Sequence, residues 1–220
     1  MKRVFNFLLD ENVYILFASI VLSFFLIGYI TSNYVLTDGV MYNILYGHVP
    51  DPLIDQTIAF HKKWAWVAYL ANPLILLLKW VFITAFIGMV SVFMGYSLSF
   101  RQIFKSVMSC EWLFVLFASI NLIVLLFSEI TSMADMEHLN VINKFSAGHL
   151  LGTFCNAKWL SKPFYSLNII QLLYILLLPV PLSVVSNKDY PKNLVLAVRS
   201  YVPALLLWIV LLTYITVSYV

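Results

Sequence analysis

The twenty residues from Ala71 to Val90 read ANPLILLLKWVFITAFIGMV, an apolar stretch with a lysine near its middle. About 20 such residues in a helix cross the ~30 Å hydrocarbon core of a bilayer, so the stretch predicts a transmembrane helix. Lys79 has no acidic neighbour in the chain, and a charge at the bilayer centre costs about 2.5–3.5 kcal/mol on insertion scales. Lys79 must therefore lie at an edge of the membrane, be paired with an acid, or serve a function.

The composition of the whole chain indicates the same environment. Hydrophobic residues make up 62% of the 220 residues and charged residues only 10%, whereas an ordinary soluble domain has about 25% charged residues. We therefore expect an integral membrane protein, with the lipid bilayer as its first partner. The net charge of +3 and the lack of any lysine-rich or arginine-rich run argue against a nucleic-acid partner.

Five stretches are long and apolar enough to be membrane spans. They are residues 12–36, 76–96, 112–128, 164–185 and 201–220. The predicted fold is all-α: a polytopic transmembrane helical bundle that forms one domain over residues 1–220, with short amphipathic helices on its outer face. Five spans put the two termini on opposite sides of the membrane.

The positions of lysine and arginine predict the orientation, because both are enriched in cytoplasmic loops. With the N-terminus inside, the inner segments hold Lys2, Arg3, Arg101, Lys105, Lys188, Lys192 and Arg199. The outer segments hold fewer cations and most of the acidic residues; the cations are Lys62, Lys63, Lys144, Lys158 and Lys162. We expect a bacterial inner (cytoplasmic) membrane, with the N-terminus inside and the C-terminus outside.

The outer segments carry signals for surface helices. Asp51 before Pro52 resembles an N-cap followed by a proline at the first helical position, where the missing N–H costs nothing. The apolar and aromatic residues that follow suit a helix along the outer interface, which we expect to end near Pro73, before the true crossing begins. Ser132 with Asp135 three residues later is a variant of the capping box and predicts a second surface helix.

Motifs of catalysis are missing from the sequence. It has no phosphate loop, no Gly-x-Ser-x-Gly elbow and no His-Glu-x-x-His pair, so we predict neither an enzyme nor a cofactor. Four histidines fall in outer segments beside acidic residues, a chemistry that can bind zinc: His48, His61, His138 and His149. Their spacing matches no ligand pattern, so a metal-dependent outer-face site is a remote alternative to ordinary loop histidines.

Polar residues inside the predicted spans are the other candidates for a site. Asn121 lies in the third span, and Asn168, Gln171 and Tyr174 follow one another at i+3 in the fourth. Such residues can line a solute path, but more often they hydrogen-bond across helices at about 0.6 kcal/mol each, which is the interpretation we favour.

Lys79 is expected about one turn inside the outer boundary of the second span, where its stem can carry the ammonium to the headgroups. Glu111 and Glu129 bracket the third span, and Glu129 closes it at the outer side, so Glu129 is the carboxylate that Lys79 is expected to meet. This places Lys79 in a structural role.

Three features together resemble the Yip-domain family of small membrane proteins: closely spaced spans, the inner link GYSLSFRQIFKSVMSCEW, and a closing hairpin that begins LNIIQLLYILLLPVPLSVV. The similarity covers about residues 70–220. The resemblance implies a non-enzymatic scaffold, adaptor or accessory subunit that packs against another membrane protein. The alternative is a small-solute transporter or substrate-binding membrane subunit, which needs a water-filled pocket reached by Asn168, Gln171 and the outer histidines.

The predicted orientation can be tested with reporters that are active only outside the cytoplasm. A reporter fused after Val220 should be active, and the same reporter inserted near Asp189 should be silent, because an odd number of spans separates the C-terminus from the N-terminal side. The reverse pattern, or equal signals, would contradict five spans in this orientation.

Overall fold

The computed structural model describes residues 2–46, 49–130, 135–136, 139–151 and 164–218. Within these residues all regular structure is helical and no strand occurs. Five helical segments are long and apolar enough to cross a membrane: Val13–Val35, Tyr69–Phe93, Phe100–Leu126, Ile169–Ser186 and Tyr190–Leu211. The all-α, polytopic transmembrane prediction is confirmed.

Ten α-helices and one π-helical turn make up the described part of the chain. They are α1 (Lys2–Asp10), α2 (Val13–Ile30) with the π-helical turn Thr31–Val35 at its end, α3 (Asp38–Leu45), α4 (Asp51–Phe93), α5 (Phe100–Leu126), α6 (Val141–Lys144), α7 (Ala147–Leu151), α8 (Ile169–Leu177), α9 (Pro179–Ser186) and α10 (Tyr190–Ser218). Helices α8 and α9 follow one another directly and together form the fourth span.

Helix α4 differs from the sequence prediction. It begins at Asp51, one residue before the predicted first helical position at Pro52. The predicted N-cap role of Asp51 is wrong, because Pro50 occupies the N-cap position and no side chain caps the helix. The expected division near Pro73 is wrong, because α4 runs without a break for 43 residues through that proline. A proline removes one backbone hydrogen bond, and neighbouring helices can compensate for that loss in a membrane. At 1.5 Å per residue α4 is roughly 65 Å long, so it extends well beyond a ~30 Å hydrocarbon core.

Helix α5 begins twelve residues before the predicted start of the third span at Trp112. Ser99 and Gln102 form a capping box: the Ser99 side chain accepts from the Gln102 backbone N–H, and the Gln102 side chain accepts from the Ser99 backbone N–H. This arrangement satisfies two N–H groups that would otherwise lack partners, and it fixes the helix start at Phe100. Glu111 therefore lies inside the helix and is not a boundary residue.

Helix α5 is the centre of the bundle. It packs against α2, against α4 and against the α8–α9 segment, while α10 closes the bundle against α4 and α8–α9. The largest fully buried side chains of the main core come from all five of these segments and include Ile20, Trp80, Met108, Tyr174 and Leu196. A smaller cluster of buried residues packs around Leu122 and Leu125 near the end of α5.

Three segments meet at one end of the bundle, which we call the α1 end: helix α1, the link over residues 94–99 and the link over residues 187–189. The Lys105 ammonium donates to the carbonyl of Leu9, near the C-terminus of α1, where carbonyls lack helical partners. The Lys188 ammonium donates to the Gly95 carbonyl at 3.2 Å and lies 3.4 Å from the centre of the Tyr96 ring. The segments predicted to lie on one side of the membrane are thus in contact with one another.

The opposite end, the α3 end, holds α3, α6, α7 and the start of α4. The backbone N–H of Val141 donates to Asn121 Oδ1 at 3.1 Å, which ties α6 to α5. Met136 and Leu139 pack against the smaller core cluster, as expected for an apolar cover over the bundle. The predicted capping residue Ser132 lies outside the described residues.

A buried asparagine joins α9 to α10. Asn193 is fully buried, donates to the carbonyls of Lys188 and Asp189 at 3.0 and 3.1 Å, and accepts from the Ser186 hydroxyl at 3.1 Å. Asn187 in the same link adopts a left-handed conformation, with φ of 53°, which asparagine tolerates better than most residues. The closing hairpin is therefore fixed by polar contacts of one side chain.

Changing Asn193 to Leu should lower the free energy of unfolding by about 1–3 kcal/mol, because the Lys188 carbonyl and the Ser186 hydroxyl lose a partner and the Asp189 carbonyl keeps only the backbone N–H of residue 193. The melting midpoint of the purified protein in detergent measures the effect. The exposed neighbour Lys192 provides the control, since Lys192→Leu should leave the midpoint unchanged. Equal midpoints for the two variants would contradict the contacts assigned to Asn193.

Candidate functional site

An ion pair joins α4 to α5 inside the bundle. The Lys79 ammonium lies 2.7 Å from Glu111 Oε1, and the Trp80 indole N–H donates to Glu111 Oε2 at 2.9 Å. Both oxygens of the carboxylate are thus bonded by two consecutive residues of α4. The Glu111 side chain is only 1% exposed, whereas 32% of the Lys79 side chain is exposed.

The pair lies near the middle of both spans. Lys79 is ten residues from Tyr69 and fourteen from Phe93, and Glu111 is eleven residues from Phe100 and fifteen from Leu126. The predicted position of Lys79 about one turn inside a boundary near residue 76 does not match this span, because α4 continues without a break and its apolar part begins at Tyr69, ten residues before Lys79.

The expected pairing of Lys79 with Glu129 is also wrong. Glu129 is exposed and follows the end of α5 at Leu126, which is roughly 22 Å along the helix from Glu111. Glu111 was missed because it directly precedes the apolar run 112–128 and was therefore expected at the edge of the third span. The capping box at Ser99 and Gln102 was the signal that could have found it, since a helix that begins there carries Glu111 to mid-span.

Aromatic rings surround the ion pair. The Lys79 ammonium lies 3.8 Å from the centre of the Phe114 ring, a distance at which a cation is attracted to the ring face. The Phe114 ring contacts that of Tyr174 at 5.4 Å, and Tyr174 contacts Tyr201 of α10 at 5.0 Å. With few polar atoms nearby, the effective dielectric constant is low, which strengthens the attraction between the two charges and raises the cost of separating them.

The polar residues predicted inside the spans make contacts that connect segments. Tyr174 donates to the carbonyl of Val107 on α5 at 3.3 Å, and Gln171 accepts from the Tyr201 hydroxyl on α10. Asn168 caps the start of α8 by accepting from the backbone N–H of Gln171, and Asn121 holds α6 as described above. Each of these four side chains makes a hydrogen bond within the bundle. Among the described residues, none of the four hydrogen-bonds to Lys79 or Glu111.

The histidines are not assembled into a metal site by the described residues. His61 lies on α4 and His149 on α7, and both are exposed. His48 and His138 lie outside the described residues. Among the residues that the structure describes, no group of three or more His, Cys, Asp or Glu side chains could hold a metal ion. Zinc binding stays an untested alternative.

A second feature is an open cleft of about 990 Å³ between α2 and α4 at the α3 end. Its inner part is apolar and includes Phe24 and Ile75, and its outer part is polar and includes Asp38, His61 and Lys62. The π-helical turn at the end of α2 adds Ser32 and Asn33 to the wall; such turns occur frequently at functional sites.

Comparison with known proteins identifies no relative: no family model, no curated protein and no solved structure matches this chain. The resemblance to the Yip-domain family therefore stays a prediction.

The ion pair can be tested through its two partners separately and together. Lys79→Met should lower the free energy of unfolding by about 3–5 kcal/mol, because it leaves the Glu111 carboxylate buried without a cation. The double variant Lys79→Met/Glu111→Gln should regain most of the loss, since the amide oxygen of glutamine can still accept from the Trp80 indole. Melting midpoints in detergent measure both. A Lys79→Met midpoint equal to that of the unchanged protein would contradict the pair.

Proposed function

We propose that this protein is a non-enzymatic accessory subunit, acting as a scaffold or adaptor, that packs laterally against another integral membrane protein at the level of Lys79. We further propose that it resides in a bacterial inner membrane with its N-terminus inside, which rests on the distribution of lysine and arginine. The first proposal is supported by the hydrogen bonds and the ion pair that the polar groups of the bundle make.

Several polar groups in the middle of the bundle are engaged with one another, whereas the buried Thr84 hydroxyl and Trp112 indole N–H have no hydrogen-bond partner among the described residues. Glu111 has both oxygens bonded, Gln171 and Tyr201 are paired, and Tyr174 donates to a backbone carbonyl. Rings of phenylalanine, tyrosine and tryptophan fill the space between them. A transporter would instead present such groups to a solute, so the contacts of the described residues favour an accessory role.

One observation carries the proposal: Lys79 keeps about a third of its side-chain surface exposed at the middle of a membrane span. An ammonium has three N–H donors. Glu111 accepts one of them, and no other hydrogen-bond acceptor for Lys79 occurs among the described residues. A donor without a partner in hydrocarbon costs several kcal/mol. A neighbouring transmembrane helix that brings a hydroxyl, amide or carboxylate oxygen to this depth would remove that cost.

The surface beside Lys79 provides apolar contact area for such a helix. Phe82 follows Lys79 at i+3 and is 40% exposed, and its ring contacts that of Phe86 at 4.9 Å. We call these three residues the Lys79 face. Lipid tails are as apolar as the side chains of a transmembrane helix, so the hydrophobic effect does not drive two such helices together. They associate through close packing and hydrogen bonds instead. The Lys79 face offers both kinds of contact on one helix.

The alternative role as a transporter or solute-binding subunit has less support. It needs a polar pocket reached by Asn168, Gln171 and the outer histidines, but Asn168 caps a helix and Gln171 is paired with Tyr201. It stays the second candidate because a cleft of about 990 Å³ opens beside His61.

Photo-crosslinking in native membranes tests the proposal. A photoreactive residue in place of Phe82 should form a discrete adduct with one other protein, whereas the same residue in place of Leu22 on α2, which is 57% exposed, should meet lipid. Adding Lys79→Met/Glu111→Gln should weaken the Phe82 adduct about tenfold, because an interhelical hydrogen bond is worth about 1–2 kcal/mol in model helices.

Two results would count against the accessory role. Lipid adducts alone at Phe82 would show that no helix covers the Lys79 face. Protein adducts of equal yield at Phe82 and Leu22 would show contact without a defined surface.

A further inference from the structure

The cleft between α2 and α4 is apolar at its inner end and charged at its outer end. Phe24 and Ile75 line its inner end, and the exposed ion pair between Asp38 and Lys62, with an N–O distance of 2.7 Å, stands at its outer end. From Ile75 to Lys62 the helix rises about 20 Å, which is roughly the depth of one bilayer leaflet with its headgroups. An apolar groove that ends in charges matches the shape of a membrane lipid.

Exposed aromatic residues mark the depth of the headgroups beside the cleft. Tyr29 and Tyr34 flank it on α2, and Trp64 and Trp66 flank it on α4. Tryptophan and tyrosine concentrate at membrane interfaces, where one part of the ring system is apolar and the other is wet. The outer end of the cleft, at Lys62, therefore lies at headgroup level.

A polar side chain partway down the cleft has no hydrogen-bond partner within the described part of the chain. Asn72 lines the cleft three residues inward of Tyr69, and its amide makes no hydrogen bond to any described residue. A polar group at this depth should be paired, because hydrocarbon offers no replacement for water. The ester carbonyls of a glycerolipid lie between headgroup and chains, where they can accept from this amide.

The ion pair at the outer end is able to exchange partners. Its two side chains are 62% and 64% exposed, and such surface pairs contribute little net stability. Lys62 can therefore bind a phosphate, and Asp38 can bind a primary ammonium, with little loss of folding stability. A headgroup that carries both charges fits the two residues together.

We propose that the cleft between α2 and α4 binds a phospholipid whose headgroup contains a phosphate and a primary amine. The phosphate contacts Lys62, the amine contacts Asp38, the ester region accepts from Asn72, and one acyl chain lies along Phe24 and Ile75. This inference is independent of the partner proposed for the Lys79 face.

Native mass spectrometry of the delipidated full chain in detergent tests the assignment, with phosphatidylethanolamine, phosphatidylglycerol and diacylglycerol added in separate titrations. We expect phosphatidylethanolamine to bind about tenfold more tightly than the other two, since they lack the amine or the whole headgroup. Equal binding of diacylglycerol, stronger binding of phosphatidylglycerol, or no retained lipid would overturn the proposal.

Two alanines of α4 provide a matched pair of variants. Ala71 lines the cleft, whereas Ala85 is exposed elsewhere on the same helix. Ala71→Phe should fill the cleft and abolish selective binding of phosphatidylethanolamine, and Ala85→Phe should leave it intact. Asn72→Leu, which replaces the amide by methyl groups, should weaken binding and serves if Ala71→Phe does not fold. Binding that survives both cleft variants would refute the site.

A photoreactive residue in place of Asn33 in native membranes separates a lipid from a protein occupant. A lipid adduct supports the proposal. An adduct with a transmembrane protein would mean that a helix occupies the cleft, and the lipid assignment would be wrong.

Discussion

A carboxylate in the middle of a bilayer needs a counter-charge and a hydrogen bond for each oxygen, and the arrangement of this bundle depends on how Glu111 obtains them. Lys79 supplies the charge and Trp80 supplies the second donor. Because these two residues are adjacent on α4, they fix both the depth and the rotation of α4 against α5. A slide of one turn, about 5.4 Å, would break both contacts at once.

The remaining spans assemble around this fixed pair of helices. Phe17 of α2 packs on Trp80 with ring centres 5.7 Å apart, and Tyr174 of α8 bonds α5 directly. Tyr201 then connects α10 to α8 through Gln171. A buried ion pair is a weak source of stability, since apolar residues of similar volume often serve as well. Its value lies in specifying one arrangement, and here it also leaves a cation at the edge of the bundle.

Helix α4 carries both surfaces to which we assign partners. Its length lets the part inside the membrane present Lys79 while the part at the interface forms one wall of the lipid cleft. The first turn of α4 lies eighteen residues before the apolar span begins at Tyr69, whereas Lys79 lies near the middle of that span, so one continuous helix connects the two regions. The proposed lateral contact and the proposed lipid contact would therefore both involve this helix.

Local sequence was enough to determine the class of protein and the number of spans. Apolar runs of about 20 residues and the scarcity of charge require helices in a membrane, because only internally bonded backbone is stable there. The start of α4 was also predicted to within one residue, since a proline in the first helical turn is a local signal. The depth of Lys79 was not readable, because Pro73 looked like a boundary and tertiary packing keeps the helix continuous.

Tertiary structure decided which acidic residue pairs with Lys79, although the capping box at Ser99 was a local signal that Glu111 lies inside a helix. Glu129 and Glu111 stand at the two ends of one apolar run, and periodicity does not state which of them faces α4. The capping box at Ser99 moves the start of α5 outward from that run, and packing against α4 then brings Glu111 to Lys79 and Trp80. Burial of a charge is a property of the assembled bundle, because only neighbouring helices can exclude lipid and water from it.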